Sequence, residues 1–168
     1  YYSDDILFSG SFKAEFTDGL IYIGNMAQAV WNFHTSESDA CFQLNDVVIG
    51  KDFHWERKEN QLFRGNLKLI VEAGKITAIN EVKVEEYLYS VISSEMSAHA
   101  SEALLKAHAV ISRSWLLHPV LHPENQSHQA IHLHQDEHKL IKWYERDAHQ
   151  HFDVCADDHC QRYQGISR

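Results

Sequence analysis

The chain has 168 residues and a formal net charge of −9, with 44% hydrophobic and 11% aromatic residues. This length and composition exclude wholesale disorder and predict one compact domain, or a small domain joined to part of a larger one. Because an acidic chain without a lysine/arginine cluster is poorly suited to binding nucleic acid, we expect no nucleic-acid partner.

The sequence begins at Tyr1 rather than at Met, and no basic stretch leads into a long apolar run. We therefore expect the numbering to start inside a precursor, after a removed signal or another boundary. The apolar runs, such as residues 67–71, are too short to cross a bilayer. These features fit an extracytoplasmic protein that is secreted, periplasmic or associated with the cell envelope.

The first 80 residues predict a β-rich unit. Apolar and polar residues alternate over 12–16, and the following Asp18-Gly19 pair predicts a turn into the next strand. A short connection containing Gly74 predicts a second hairpin. The remaining strand-like runs are residues 20–23, 47–49, 67–71 and 75–79.

The pattern then changes to a helical period. Residues 84–94 form a helix with one apolar stripe, at Val84, Tyr87, Leu88, Val91 and Ile92. A second helix is predicted after Ser97, with Ser101 as its N-cap. It should end before Pro119. Its predicted buried face consists of Leu104, Ala107, His108, Ile111 and Trp115.

These patterns predict an α+β fold with two parts. A β-rich unit over residues 1–80 is followed, over residues 81–168, by a helical pair that carries a Glu-Met motif and by a short β/turn segment of metal-binding type. In that last segment, residues 152–165 predict a short strand, a polar turn and another strand.

Three cysteines are present, and an odd number argues against a complete disulfide framework. Cys41 is isolated, and we interpret it as a buried small apolar residue. Cys155 and Cys160 lie close together, within reach of His149, His151 and His159. Zinc favours such a Cys/His set. A disulfide between Cys155 and Cys160, or two buried thiols, are the alternatives.

Two stretches carry a resemblance to a known family. Residues 86–96 read EYLYSVISSEM, and residues 102–114 read EALLKAHAVISRS. Their order and spacing resemble the signature of the SpoIID/LytB family (stage II sporulation protein D and amidase enhancer), in which a helix ending in Glu-Met precedes a helix with an Arg-Ser or Arg-Thr pair. Residues 153–165, DVCADDHCQRYQG, resemble the family's Asp-x-Cys…Gln-x-Tyr-x-Gly segment.

The resemblance implies that Glu95 is the catalytic residue of a peptidoglycan lytic transglycosylase. There, one carboxyl group protonates the glycosidic oxygen, and the 6-hydroxyl of the muramyl sugar attacks to give a 1,6-anhydro product. Ser94 and Met96 are expected to position this carboxyl group. Arg113, at the family's Arg position, is expected to anchor the loop of Glu95 or to contact the substrate.

The resemblance also implies a structural zinc ion. Some family members hold zinc through one His and two Cys, with the His six positions before the first Cys, which corresponds here to His149, Cys155 and Cys160. The family commonly has Gln where this chain has His108. Its domain also continues past the Tyr-x-Gly segment, so this chain is expected to carry the first part of the domain.

Two other functions compete with the transglycosylase. The first is a non-catalytic amidase enhancer, which binds peptidoglycan glycan strands and stimulates an N-acetylmuramoyl-L-alanine amidase. The second is a zinc-dependent hydrolase, which is disfavoured because the sequence lacks a His-Glu-x-x-His motif.

Overall fold

The computed structural model describes residues 1–4, 6–50, 53–97, 99–122, 133–135, 140–142, 149–156 and 160–166. Within these residues the chain forms two compact units, one made of residues 1–90 with 164–168 and one made of residues 91–163. A strand-rich N-terminal region precedes two helices. The predicted α+β class is therefore confirmed.

The first unit contains ten strands among its described residues. They are β1 (Tyr2–Ser3), β2 (Ile6–Leu7), β3 (Ala14–Thr17), β4 (Leu20–Ile23), β5 (Met26–Gln28), β6 (Val30–Phe33), β7 (Cys41–Ile49), β8 (Arg57–Arg64), β9 (Asn66–Glu72) and β10 (Lys75–Glu81). Helix α1 (Val84–Glu95) begins in this unit and ends in the second. The second unit adds α2 (Glu102–Leu121), β11 (Leu133–Gln135) and β12 (Leu140–Lys142).

Two tight hairpins form where the sequence predicts them. Thr17 pairs with Leu20 across Asp18-Gly19, and Glu72 pairs with Lys75 across Ala73-Gly74. All four loop residues have positive φ, from 48° to 83°. This is the backbone of a two-residue turn that matches the twist of antiparallel strands, and Gly adopts it without steric cost. Both predicted hairpins are confirmed.

The core of the first unit lies against a three-stranded antiparallel sheet ordered β10-β9-β6. Trp31 on β6 is fully buried, and its indole Nε1–H donates to the carbonyl oxygen of Ile21 over 3.0 Å. That hydrogen bond satisfies the one polar atom of the indole, so the ring can be buried whole. The buried core residues are Ile21, Ile23, Trp31, Phe33, Leu67 and Leu69.

The last described residues of the chain belong to this first unit. The N–H of Ile166 donates to the carbonyl oxygen of Leu62 over 2.7 Å. Gly165, with φ of 64°, lies so close to this carbonyl group that a Cβ atom there would collide with it. The glycine of the Tyr-x-Gly segment is therefore required by both its backbone angle and its close approach to β8.

In the second unit, α2 runs past Pro119 to Leu121, so the predicted end before the proline is wrong. A proline inside a helix removes one N–H group and crowds the preceding turn. Here Pro119 lies in the last turn, and the helix beyond it is closed by the N–H of His122, which donates to the carbonyl oxygen of His118 over 3.0 Å.

The predicted buried face of α2 is wrong at Leu104, Ala107 and Ile111, which are exposed, whereas its members His108 and Trp115 are half-buried. Leu104 and Ile111 are 48% and 66% exposed, whereas Ser112 and Leu116 are buried. His108 belongs to the inward row, on which it is followed by these two residues at i+4 and i+8. This row faces inward because its polar groups have hydrogen-bond partners there, although Leu104 and Ile111 are more hydrophobic.

The tail was predicted to form two short strands, and residues 149–156 and 160–166 contain neither. Cys41, predicted to be buried, is only half-buried, and its Sγ lies 3.4 Å from the carbonyl oxygen of Asp39. Neither described helix is both long enough and apolar enough to cross a membrane.

Candidate active site and metal site

Glu95 is the last residue of α1, and the chain turns sharply after it. Ser97 closes this turn, since its carbonyl oxygen accepts from the N–H of Ala100 over 2.9 Å. Ser101 then caps α2, because its side chain accepts from the N–H of Leu104 over 3.3 Å. The helical pair and its break are as the sequence predicts, and the break places Glu95 at the junction.

The carboxyl end of a helix is an unfavourable place for an acid. The macrodipole carries partial negative charge there, and α1 has no basic residue in its last turn. Partners outside α1 must therefore stabilise a carboxylate on Glu95. Two nitrogen atoms of the second unit contact it.

The first partner is His108 on α2. Its Nε2 atom lies 2.9 Å from Oε2 of Glu95. The His108 side chain is 11% exposed and the Glu95 side chain is 28% exposed. The pair is therefore largely shielded, while part of the Glu95 carboxyl remains open to solvent. Shielding strengthens such a contact relative to one at a fully exposed surface.

The second partner is a backbone group from the tail, and it is a donor. The N–H of Arg162 donates to Oε1 of Glu95 over 3.0 Å. The adjacent residue fixes this segment on α2, because the buried side-chain amide of Gln161 donates to the carbonyl oxygen of Ser112 over 3.3 Å. Each oxygen of Glu95 therefore contacts a nitrogen from a different part of the second unit.

Ser112 also contacts this group without forming a catalytic triad. Its Oγ lies 3.3 Å from the same Nε2 atom that faces Glu95. In a triad the hydroxyl and the acid bind opposite ring nitrogens, so that one proton can pass from the serine to the imidazole. Ser112 is also 2% exposed, which prevents it from reaching a polymeric substrate. Ser112 is therefore not placed to act as a nucleophile in this group.

The predicted positioning and substrate residues fall into two places. Ser94 and Met96 flank Glu95 and are both half-buried, and the Ser94 hydroxyl is buried without a hydrogen-bond partner among the described residues. Arg113 is exposed on α2, next to Ser112 in the chain. The structure thus groups Ser94 and Met96 with the acid and places Arg113 on the outer surface of the following helix.

Three groups at this site were not predicted from the sequence. In the sequence, His108 stands out only as a departure from the family's Gln and as part of an apolar face. Arg162 acts through its backbone N–H, which every residue except proline has, so no residue type marks it. A polar residue in an otherwise apolar stripe is the one available signal for His108, whereas Ser112 lies outside that predicted stripe.

A second cluster lies in the tail, where His149, Cys155 and Cys160 come together. One ligand atom from each residue lies within 4.8 Å of the others, and His149 Nε2 is 3.4 Å from Cys160 Sγ. No disulfide joins the two cysteines in the described tail. The ring of Phe152 stacks on the His149 imidazole with centroids 4.5 Å apart, which restricts its orientation.

This cluster can bind a metal ion. Metal–sulfur bonds of about 2.3 Å and metal–nitrogen bonds of about 2.0 Å in a tetrahedral site separate the ligand atoms by roughly 3.5–3.8 Å. The observed spacing is compatible with that geometry. Of the other two histidines considered, His151 is exposed and outside the cluster, and His159 lies outside the described residues.

A family model described as stage II sporulation protein, SpoIID, matches residues 72–168. The match covers more than half of the chain, from the end of β9 through both helices and the tail. The chain therefore belongs to the SpoIID family, which associates it with a sporulation-related cell-wall function. Neither the curated proteins nor the solved structures contain a match to it.

Proposed function

We propose that this protein is a peptidoglycan lytic transglycosylase that uses Glu95 as both general acid and general base. The observation that carries the proposal is the state of the Glu95 carboxyl group. Each of its oxygens contacts a nitrogen atom, at 2.9 and 3.0 Å, yet it keeps 28% of its side-chain exposure. It is thus fixed in orientation and open to a substrate.

One carboxyl group is sufficient for this reaction. An ordinary glycosidase needs two, one as the acid and one as a nucleophile or as the base that activates water. In the proposed reaction, protonated Glu95 gives its proton to the glycosidic oxygen as the bond from this oxygen to the muramyl C1 breaks. The muramyl 6-hydroxyl then bonds to C1 and returns its proton to Glu95, so no water is consumed.

The described partners of Glu95 suit this double role. A carboxylate offers about four lone-pair positions, and His108 and Arg162 occupy one on each oxygen. The remaining positions are available for exchanging a proton with the sugar. Both of these contacts come from nitrogen atoms, and neither comes from a second acid.

We propose zinc as the metal of the His149, Cys155 and Cys160 cluster, because thiolate and imidazole ligands together favour it. Bound there, zinc would fix the tail by joining residues that are separated by up to 11 positions. We assign it a structural role. The proposed reaction takes no step through the metal.

The proposed substrate places the protein outside the cytoplasm, where it would contact peptidoglycan glycan strands. An N-acetylmuramoyl-L-alanine amidase is the second proposed partner, which belongs to the competing enhancer function. The net charge of −9 is unfavourable for nucleic acid, and no such partner is proposed.

The test is to digest purified peptidoglycan with the full-length protein and its Glu95→Gln variant, and to quantify 1,6-anhydro-muramyl products by mass spectrometry. Gln is nearly isosteric but transfers no proton, so we expect at least a roughly 10²-fold slower release with unchanged glycan binding. Glu102→Gln is the matched control, because the Glu102 side chain is 81% exposed and forms a salt bridge with Lys106.

Full activity of Glu95→Gln would eliminate Glu95 as the acid. A wild-type protein that releases no anhydro products but accelerates an N-acetylmuramoyl-L-alanine amidase would establish the enhancer function instead. In that case Glu95→Gln measures whether the carboxyl group contributes to stimulation.

A further inference from the structure

His108 is in contact with two oxygen atoms through a single nitrogen. Its Nε2 lies 2.9 Å from Oε2 of Glu95 and 3.3 Å from Oγ of Ser112. A neutral imidazole carries one proton, which is on either Nε2 or Nδ1. The position of that proton decides whether His108 donates to Glu95 or accepts from it.

The other ring nitrogen settles the choice. Nδ1 of His108 is buried and has no hydrogen-bond partner among the residues that the structure describes. An N–H group buried without an acceptor is rare and costly, whereas an acceptor without a donor is tolerated more often. The geometry therefore places the proton on Nε2, with Glu95 as the nearer acceptor.

Donation from Nε2 restrains the Glu95 oxygen that the backbone N–H of Arg162 does not contact. A glutamate side chain has three rotatable bonds, so a carboxyl group at a helix end samples several rotamers when it is unrestrained. The N–H of Arg162 restrains only Oε1. With His108 on Oε2, the plane of the carboxyl group is defined at both ends.

We propose that His108 is a positioning residue, which holds the Glu95 carboxyl group in the orientation for proton transfer by donating Nε2–H to Oε2. The proposal rests on the function proposed above, since it assigns His108 a part in the same reaction. His108 touches no substrate in it. A glutamine can place an amide N–H near the same oxygen, whereas leucine offers no donor.

The kinetic test compares His108→Gln and His108→Leu with wild type in the release of 1,6-anhydro products. Loss of orientation lowers turnover by up to about 10²-fold, so we expect kcat to fall roughly 10- to 100-fold in His108→Leu with KM nearly unchanged. His108→Gln should recover most of that loss. His118→Gln is the control, because His118 is exposed on the same helix and its ring centroid lies 5.3 Å from that of His122, with the rings tilted by 48°.

Equal kcat in His108→Leu and wild type would overturn the proposal, as would an equal loss in the leucine and glutamine variants at matched thermal stability. If wild type releases no 1,6-anhydro products, the proposed transglycosylase function is rejected, and with it the positioning role of His108 in that reaction.

Long-range ¹H–¹⁵N correlation spectra test the hydrogen bond without activity. The signals that disappear in His108→Gln belong to His108, and they should report a proton on Nε2 and none on Nδ1. A proton on Nδ1 would overturn the assignment whether or not the protein cleaves glycan.

Discussion

The backbone N–H of Arg162 lies 3.0 Å from Oε1 of Glu95, although the two residues are 67 positions apart. The contact joins the end of α1 to the tail that carries the metal cluster, with Cys160 only two positions before the donor. This contact depends on the backbone N–H group of residue 162 and on the position of the tail.

Replacement of Arg162 by proline should therefore impair the acid more than replacement by alanine. Arg162→Pro removes the N–H group, so Oε1 of Glu95 loses its donor and we expect turnover to fall by about 10²-fold. Arg162→Ala keeps the N–H group and should retain more of the rate. Equal losses in both variants would assign the effect to the arginine side chain.

The proposed zinc site predicts one metal ion per chain, measured by elemental analysis of protein purified without added zinc. Cys160→Ser should lose the ion and show a lower melting temperature, because a ligand that binds the folded state stabilises it. Cys41→Ser is the matched control, since the Cys41 sulfur lies beside the carbonyl oxygen of Asp39 and outside the cluster.

Thiol titration under denaturing, chelating conditions separates zinc from the alternatives. Three reactive thiols with one metal ion per chain support the site. One reactive thiol without metal would mean that Cys155 and Cys160 are oxidised to a disulfide.

Gly165→Ala should destabilise the first unit strongly. The new methyl group would collide with the carbonyl oxygen of Leu62 at a positive φ, and we expect a loss of at least about 3 kcal/mol in the free energy of unfolding. Gly74→Ala is the control, because Gly74 has a similar φ of 72° but open space around its Cα. It should cost only about 1–2 kcal/mol, as measured by urea denaturation. Equal costs would remove the collision as the cause.

Alkaline pH should weaken the first unit through Tyr1. Burial, and next the nearby Cys41, raise the pKa of the Tyr1 hydroxyl above its ordinary value of 10.0. The folded state then holds this proton more tightly than the unfolded state does. The stabilisation is complete below about pH 10, and it is lost as the pH rises through the raised pKa.

Tyr1→Phe tests this dependence. The hydroxyl donates to the carbonyl oxygens of Gly65, at 2.9 Å, and Ala40, at 3.2 Å, so its removal should cost about 1 kcal/mol at neutral pH. The variant should also lose less stability than wild type between pH 9 and pH 11, two values chosen roughly one unit either side of the ordinary tyrosine pKa. Tyr89→Phe, at a tyrosine that is 71% exposed, is the control. An unchanged alkaline slope in Tyr1→Phe would contradict the assignment.

Local signals account for what the sequence predicted well. Asp18-Gly19 and Ala73-Gly74 specify hairpins because positive φ at both loop residues fixes the register within a few positions. The buried stripe of α1 follows in the same way from apolar residues at helical spacing, and Tyr87, Leu88 and Val91 are at most 5% exposed.

The orientation of α2 could not be predicted from hydrophobicity, because a polar network determines it. His108 and Ser112 face inward, where Glu95 and Gln161 meet them, while Ile111 is left 66% exposed. Those partners come from residues 13 and 49 positions away in the chain. No pattern within α2 contains that information, and the family signature identified Glu95 without indicating what holds it.

The separation of Glu95 from Arg162 also has a consequence for biosynthesis. A ribosome that adds about 5–20 residues per second makes the 67-residue interval in roughly 3–13 s. Through that time the nascent chain contains the acid, and from 13 residues later also His108, but not the backbone group that restrains Oε1. A product truncated before residue 162 would keep this incomplete arrangement. Only a chain synthesised through its tail can therefore orient the carboxyl group at both oxygens.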